Sequence, residues 1–190
     1  MNGKLIVFSA PSGAGKTSIV HRLLKTDLPL AFSVSACSRP KRPEEVHGTD
    51  YYFLIPEEFK QRIDNHEFLE WEEVYPGSYY GTLRSELDRI WKLGKHVVFD
   101  VDVIGGINIK KLYPRETLSI FVMPPSIEEL EVRLHMRGTE TPENLAKRLD
   151  KAKWEISFAD QFDYQLLNDN LDRSTPEIKE VIAEFIKQQR

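Results

Sequence analysis

Ala10-Pro11-Ser12-Gly13-Ala14-Gly15-Lys16-Thr17 gathers the residue types best suited to hold phosphate. Gly13 and Gly15 permit backbone dihedrals closed to other residues, so successive N–H groups can turn towards one point. Lys16 adds a mobile positive charge, and Thr17 a hydroxyl able to ligate a divalent cation. Between a strand and a helix, such a loop cradles phosphate oxygens with the positive end of the helix dipole behind it. The apolar run Leu5–Phe8 supplies the strand, and Ile19, Val20, Leu23 and Leu24 recur at helical spacing after the loop. Residues 10–17 are therefore expected to bind a nucleotide, with Lys16 on the β- and γ-phosphates and Thr17 on Mg²⁺. The strict form of the pattern begins with glycine where this chain has Ala10; alanine serves there if its φ stays negative.

Other side chains acquire meaning beside that loop. Asp100 ends the apolar stretch His96–Phe99, where phosphate-loop enzymes place a carboxylate near Mg²⁺, as a ligand directly or through water. Arg39 and Arg42 lie in the Pro-broken segment Ser38–Gly48 and, taken alone, read as a solvated basic loop. Tyr51 and Tyr80 alone read as packing residues. Glu70, flanked by Phe68, Leu69 and Trp71, sits on an alternating strand and fits solvent as well as a pocket. Arg133, Arg137 and Arg148 alone are exposed helix arginines.

The elements that must position these residues alternate between strand and helix. Strands are expected over Leu5–Ser9, Leu30–Ala36, Tyr51–Ile55, Phe68–Val74, His96–Asp102, Leu118–Met123 and Tyr164–Leu167. Tyr75–Gly81 reads as turn-rich. Helices are expected from Lys16 to about Thr26, from Pro56 to about Asn65, up to Leu93 before Gly94, over Gly106–Leu112, after Ser126, from Asn144 to about Phe158, and from Thr175-Pro176 to the end. This order implies an α/β fold with a mostly parallel sheet covered on both sides.

Composition narrows the function further. The chain has 190 residues, 41% hydrophobic and 29% charged, as expected of one globular domain. Its 26 basic and 30 acidic residues give a net charge of −4, which argues against a nucleic-acid binder dependent on phosphate neutralisation. Cys37 is the only cysteine and the five histidines lack zinc-site spacing. No apolar stretch has membrane-spanning length and the four-residue run near the N-terminus is too short for a signal peptide, so the expected setting is cytoplasmic.

With the loop in place, the chain resembles the guanylate kinase family from first strand to last helix. The resemblance rests on SAPSGAGKT, SACSRPKRPEEVHGTDYYF, EFLEW, YYGT, VFDVD and RLHMRGTET…KRL. It implies a P-loop NTPase core (about 1–29, 84–125 and 159–190), a small GMP-binding lobe (about 30–83) and a helical lid (about 126–158). It implies transfer of the ATP γ-phosphoryl group to GMP with Mg²⁺, and leaves open whether dGMP serves as an acceptor too. Matched by motif, the GMP phosphate falls to Arg39, Arg42, Tyr51 and Tyr80, a donor set suited to a dianion. Glu70 becomes the guanine reader, joined in the base pocket by Ser35, Thr82 and Asp102. A carboxylate accepts from the N1–H and 2-amino group of guanine and rejects adenine, whose N1 is an acceptor. Arg133, Arg137 and Arg148 become lid residues closing on the phosphates, and Asn168 lies towards the adenine end. The chain departs from the family pattern in one extra residue between Trp71 and Tyr79, and in Val103-Ile104-Gly105-Gly106 after Asp102. Two other readings compete: a non-catalytic guanylate-kinase-like interaction module, and a related phosphate-loop kinase acting on another small phosphorylated acceptor. The intact loop disfavours the first, and Glu70 with its tyrosines and arginines disfavours the second.

Overall fold

A computed structural model of the chain describes residues 3–136 and 142–188. β1 (Leu5–Ser9) runs through the phosphate loop into α1 (Lys16–Leu23). There follow β2 (Leu30–Phe32), β3 (Ala36–Cys37), β4 (Tyr52–Phe53), α2 (Pro56–Asp64), β5 (Phe68–Tyr75), β6 (Ser78–Leu83) and α3 (Arg84–Lys92). The remainder is β7 (His96–Asp100), α4 (Val103–Leu112), β8 (Thr117–Met123), α5 (Ile127–Met136), α6 (Pro142–Ile156), a 3₁₀ turn Ala159–Gln161, β9 (Tyr164–Leu167) and α7 (Leu171–Lys187).

Among the described residues, β2-β7-β1-β8-β9 form a five-stranded sheet in which every pairing is parallel. Its inner strands β7, β1 and β8 are buried on both faces, as parallel strands covered by helices must be. Ile6 and Phe8 of β1 pack with Ile19, Val20 and Leu23 of α1 and Ile178 and Ile182 of α7. Leu5 and Val7, half a pleat away, pack with Leu87 and Ile90 of α3 and Ile109 of α4. The phosphate loop thus leaves the C-terminal edge of the central strand, where open α/β sheets bind ligands. No helix among the described residues is long and apolar enough to cross a membrane.

A second sheet, β4-β3-β6-β5, has its own apolar cluster around Phe59, whose ring stacks on Phe68 at 4.3 Å and on Tyr79 at 5.6 Å. Glu86 of α3 ties it to the first. Its carboxylate accepts from the Val34 N–H (2.8 Å), the Tyr52 hydroxyl (2.9 Å) and Arg89 (2.7 Å). Burial pushes the Glu86 carboxyl up, but Arg89 and these two donors outweigh it and hold it below its ordinary value.

Several elements differ from their sequence expectations. Leu30–Ala36 is not one strand: β2 pairs with β7 in the first sheet, whereas β3 pairs with β4 and β6 in the second. Tyr75–Gly81 is mostly strand, the turn being confined to Pro76 and Gly77. Gly77 takes φ +79, as the position after proline does in a type II turn. The extra residue is absorbed by a register shift between Glu73 and Tyr75, so Glu70 still faces Thr82 and Glu72 still faces Tyr80. α4 begins at Val103, not Gly106, because the Asp102 carboxylate accepts from the Gly105 N–H at 2.7 Å as its N-cap. α7 begins at Leu171, capped by Asn170 accepting from the Asp172 N–H, and carries Pro176 inside it.

Candidate functional site

Gly13 and Gly15 take φ +93 and +91, conformations that an L side chain resists. Gly15 has a second constraint, since a Cβ there would lie 2.3 Å from Asn168 Nδ2. Ala10 is absent from the non-glycine residues with positive φ, so alanine is accommodated at the first loop position. Ala14 is fully buried, and Asn168 donates to its carbonyl at 2.7 Å while accepting from the Ser174 hydroxyl at 2.9 Å. Asn168 therefore lies beneath the loop, 3% exposed, and is not part of the cavity wall.

Lys16 opens α1. Its Nζ lies 2.6 Å from Asp100 Oδ1 and donates to the Val101 carbonyl at 2.7 Å. Thr17 donates its hydroxyl to Asp100 Oδ2 at 2.9 Å. Two oxygens at that separation match adjacent ligands of an octahedral Mg²⁺, each at about 2.0–2.1 Å. Among the described residues no group of three or more His, Cys, Asp or Glu side chains could hold a metal ion. The donor set is hard oxygen and incomplete, which fits an ion that takes its other ligands from phosphate and water.

From this loop a cavity of about 420 Å³ extends to the second sheet. Residues 10–13 and 15–18 line it together with Ser35, Tyr51, Glu70, Tyr80, Asp100 and Asp102. Those expected site residues are thus brought to one space. Tyr51 and Tyr80 meet edge to face at 6.1 Å, and the Arg39 guanidinium lies 5.1 Å from the Tyr51 ring centre. Arg39 forms a bidentate pair with Glu45, at 2.7 and 2.5 Å, which the sequence reading did not anticipate. That pair and the nearby Tyr80 hydroxyl raise the Arg39 pKa, and Arg39 brings the Glu45 carboxyl down to about 2. Arg42 is exposed outside the cavity wall and is tied to Glu45 through its backbone N–H.

Glu70 faces the far end of the cavity. The fully buried Thr82 donates to its Oε1 at 2.7 Å, so Thr82 orients the carboxylate without lining the space. Burial pushes the Glu70 carboxyl up to about 7, with Asp102 adding repulsion and the Thr82 hydroxyl opposing. Gly105 lets α4 approach closely, since a Cβ there would come within 2.9 Å of Glu70 Oε2.

The expected lid arginines are placed unequally. Arg148 of α6 donates to the Ser12 hydroxyl at 3.2 Å, over the phosphate loop. Arg133 of α5 pairs with Glu129 at 3.0 Å and donates to the Asn168 carbonyl at 3.1 Å, away from the cavity wall. Arg137 lies outside the described residues. Glu72, Lys151 and Glu155 also line the cavity and were missed by motif. Spacing could have found them: Glu72 follows Glu70 by one strand period, and Lys151 and Glu155 follow Arg148 by three and seven residues on one helix face.

The Guanylate kinase family profile matches residues 2–185. Guanylate kinase of Bacteroides thetaiotaomicron is 55% identical over 189 residues, covering 100% of this chain and 93% of that protein. Guanylate kinase of Porphyromonas gingivalis is 53% identical over 184 residues, covering 96% and 98%. The crystal structure of guanylate kinase from Anaplasma phagocytophilum superposes with a TM-score of 0.79 at 29% identity, covering 98% of this chain and 88% of that one.

Proposed function

The chain belongs to the guanylate kinase family, a family of nucleoside monophosphate kinases, and on that premise we propose that it transfers the γ-phosphoryl group of ATP to GMP, giving ADP and GDP. The observation that carries this reading is that one cavity has the phosphate-loop donors at one end and the Glu70 carboxylate at the other. In this reading the second sheet is the acceptor lobe and α5 with α6 the lid.

The donor phosphates sit against the N–H groups of the loop and the start of α1, where the helix dipole favours negative charge. Lys16 leaves Asp100 and the Val101 carbonyl for the β- and γ-phosphates. Thr17 and Asp100 would hold Mg²⁺, which supplies neutralisation of the phosphate oxygens when bound. Arg39, Arg42, Tyr51 and Tyr80 bind the acceptor phosphate, and Arg39 exchanges Glu45 for it. Glu70, held by Thr82, accepts from the Watson–Crick edge of guanine, with Ser35 and Asp102 at the same end.

No general base is required. The attacking oxygen belongs to a phosphate monoester with a second pKa near ~6, already largely dianionic at pH 7. The residues therefore act by alignment and by positive charge, from Lys16 and the arginines 133, 137 and 148. Asn168 serves the donor site by holding the loop from below. Seating α6 over the loop through Arg148 excludes water and limits hydrolysis of ATP.

The test is ADP formation from Mg·ATP with GMP, AMP, CMP, UMP or no acceptor, measured in parallel. Turnover confined to GMP is expected. Comparable turnover with another base would overturn the guanine assignment, and no acceptor-dependent turnover would overturn the reaction.

A further inference from the structure

Beneath the phosphate loop, a buried polar relay joins it to α7. Ser174 of α7 is fully buried, and its hydroxyl donates to Asn168 Oδ1 at 2.9 Å. Asn168 Nδ2 in turn donates to the Ala14 carbonyl at 2.7 Å. That carbonyl can only accept, so Nδ2 must face the loop and Oδ1 must face α7. The Ser174 hydroxyl also lies 3.0 Å from the Asn170 carbonyl, but this oxygen already accepts from the backbone N–H groups of Arg173 and Ser174. The one hydroxyl proton is therefore better placed on Oδ1, which has no other donor among the described residues. The Asn168 backbone is fixed separately, its N–H donating to the Met123 carbonyl at 2.8 Å and its carbonyl accepting from Arg133 at 3.1 Å.

The relay bears on the orientation of one peptide group. Across a trans peptide the C=O and the following N–H point in opposite directions, so an Ala14 carbonyl held down on Asn168 turns the Gly15 N–H the other way. Gly15 lines the cavity, whereas Ala14 is fully buried, so the other way is into the cavity. Gly15 does not fix this orientation by itself. It sits at φ +91, and glycine adopts negative φ as readily, so the peptide between Ala14 and Gly15 is free to flip unless its carbonyl is held. A flipped peptide would present an acceptor where phosphate oxygens need a donor.

We propose that Ser174 of α7 is a positioning residue of the donor site: through Asn168 it keeps the Ala14 carbonyl turned down and the Gly15 N–H turned into the cavity. This rests on the donor reading given above. The hydroxyl acts through Asn168 and need not touch a nucleotide atom. Without it, Oδ1 is left buried with no donor, a costly state that the amide relieves by turning away from its present position. The Ala14 carbonyl is then released, and the loop loses the restraint that selects one peptide orientation over the other.

The test uses the full chain as wild type, Ser174→Ala, Asn168→Leu and the double variant. Affinities for Mg·ATP and for GMP are read separately by calorimetry, the Gly15 amide by ¹H–¹⁵N NMR, and folding by thermal melting. Ser174→Ala is expected to weaken Mg·ATP binding about three- to tenfold, the size of one disturbed hydrogen bond, and to leave GMP affinity within about twofold. The Gly15 amide signal should move in the same variant. Beside Asn168→Leu, which removes the amide and keeps its bulk, Ser174→Ala should change Mg·ATP affinity less than about twofold. If Asn168→Leu does not fold, the nucleotide comparison and the Gly15 signal of Ser174→Ala decide alone. Unchanged Mg·ATP affinity in Ser174→Ala, an equal loss towards both nucleotides, or an unmoved Gly15 signal would each overturn the inference, as would an equal effect in both backgrounds. If the wild type binds Mg·ATP and Ser174→Ala binds it as well, only this inference fails. If the wild type does not bind Mg·ATP, the donor reading fails and takes the inference with it.

Discussion

Lys16 holds an Asp100 oxygen and the Val101 carbonyl, so its ammonium lies at the end of the sheet where the proposed function puts the donor phosphates. Removing a charge-assisted donor of this kind should lower kcat for GDP formation by about 10²–10³-fold in Lys16→Ala, and a variant with near-normal kcat would contradict the role. Glu70 has a different signature. Its carboxyl titrates at about 7 against an ordinary 4.5, so between these values the folded protein binds more protons than the unfolded chain. Stability of the protein alone therefore falls as pH rises from about 4.5 to about 7, while guanine, which in the proposed reading needs the ionised form, is expected to bind better as pH rises through 7. Glu70→Gln should cost about 30–100-fold in kcat/KM for GMP, leave KM for ATP within about twofold, and raise the ligand-free melting temperature at pH 8 by about 2–6 °C. Equal losses towards both substrates, or a lowered melting temperature, would count against the assignment. Of these two residues, Lys16 was legible from spacing alone, whereas Glu70 took meaning only from the motifs around it. Glu72 and Lys151 escaped because neither stands in a motif; what unites them is a cavity wall that exists only in three dimensions.

Among the elements, the phosphate loop is the most tightly determined. Gly15 must keep φ +91, and the space beside it is filled by an Asn168 side chain fixed on both its polar atoms. Gly15→Ala thus meets both backbone strain and a buried amide that cannot retreat. ATP affinity measured by calorimetry should fall by about 100-fold, consistent with a few kcal/mol of strain and lost contacts, while GMP affinity changes less than about threefold. ATP affinity within twofold of normal would contradict the loop's role. β1 and β9 were readable to the residue because each is a short apolar run bounded by breakers. β2 and β3 ran together in the sequence because nothing in Leu30–Ala36 marks where one sheet ends and the next begins; that break is set by Glu86 binding the Val34 N–H. The starts of α4 and α7 were missed because Asp102 and Asn170 act as caps, and Pro176 suggested a helix start where it instead lies inside the helix. Asp102 combines two roles, capping α4 and facing the cavity.

At the scale of the whole molecule, alternation of strands and helices was enough to anticipate the doubly covered parallel sheet. It could not anticipate how the second sheet packs, because that depends on contacts distant in sequence, such as Tyr52 with Glu86 and Ser38 with Gly77. The resulting cleft brings the phosphate loop and Glu70 to one cavity, and in the proposed reaction this geometry favours direct transfer over loss of the phosphoryl group to water. The decisive measurement is the fate of a labelled γ-phosphoryl group when wild-type protein is given Mg·ATP and GMP. The account predicts that the label appears on the β-position of GDP, one GDP for each ADP formed. Label released as inorganic phosphate, or retained in ATP, would contradict it.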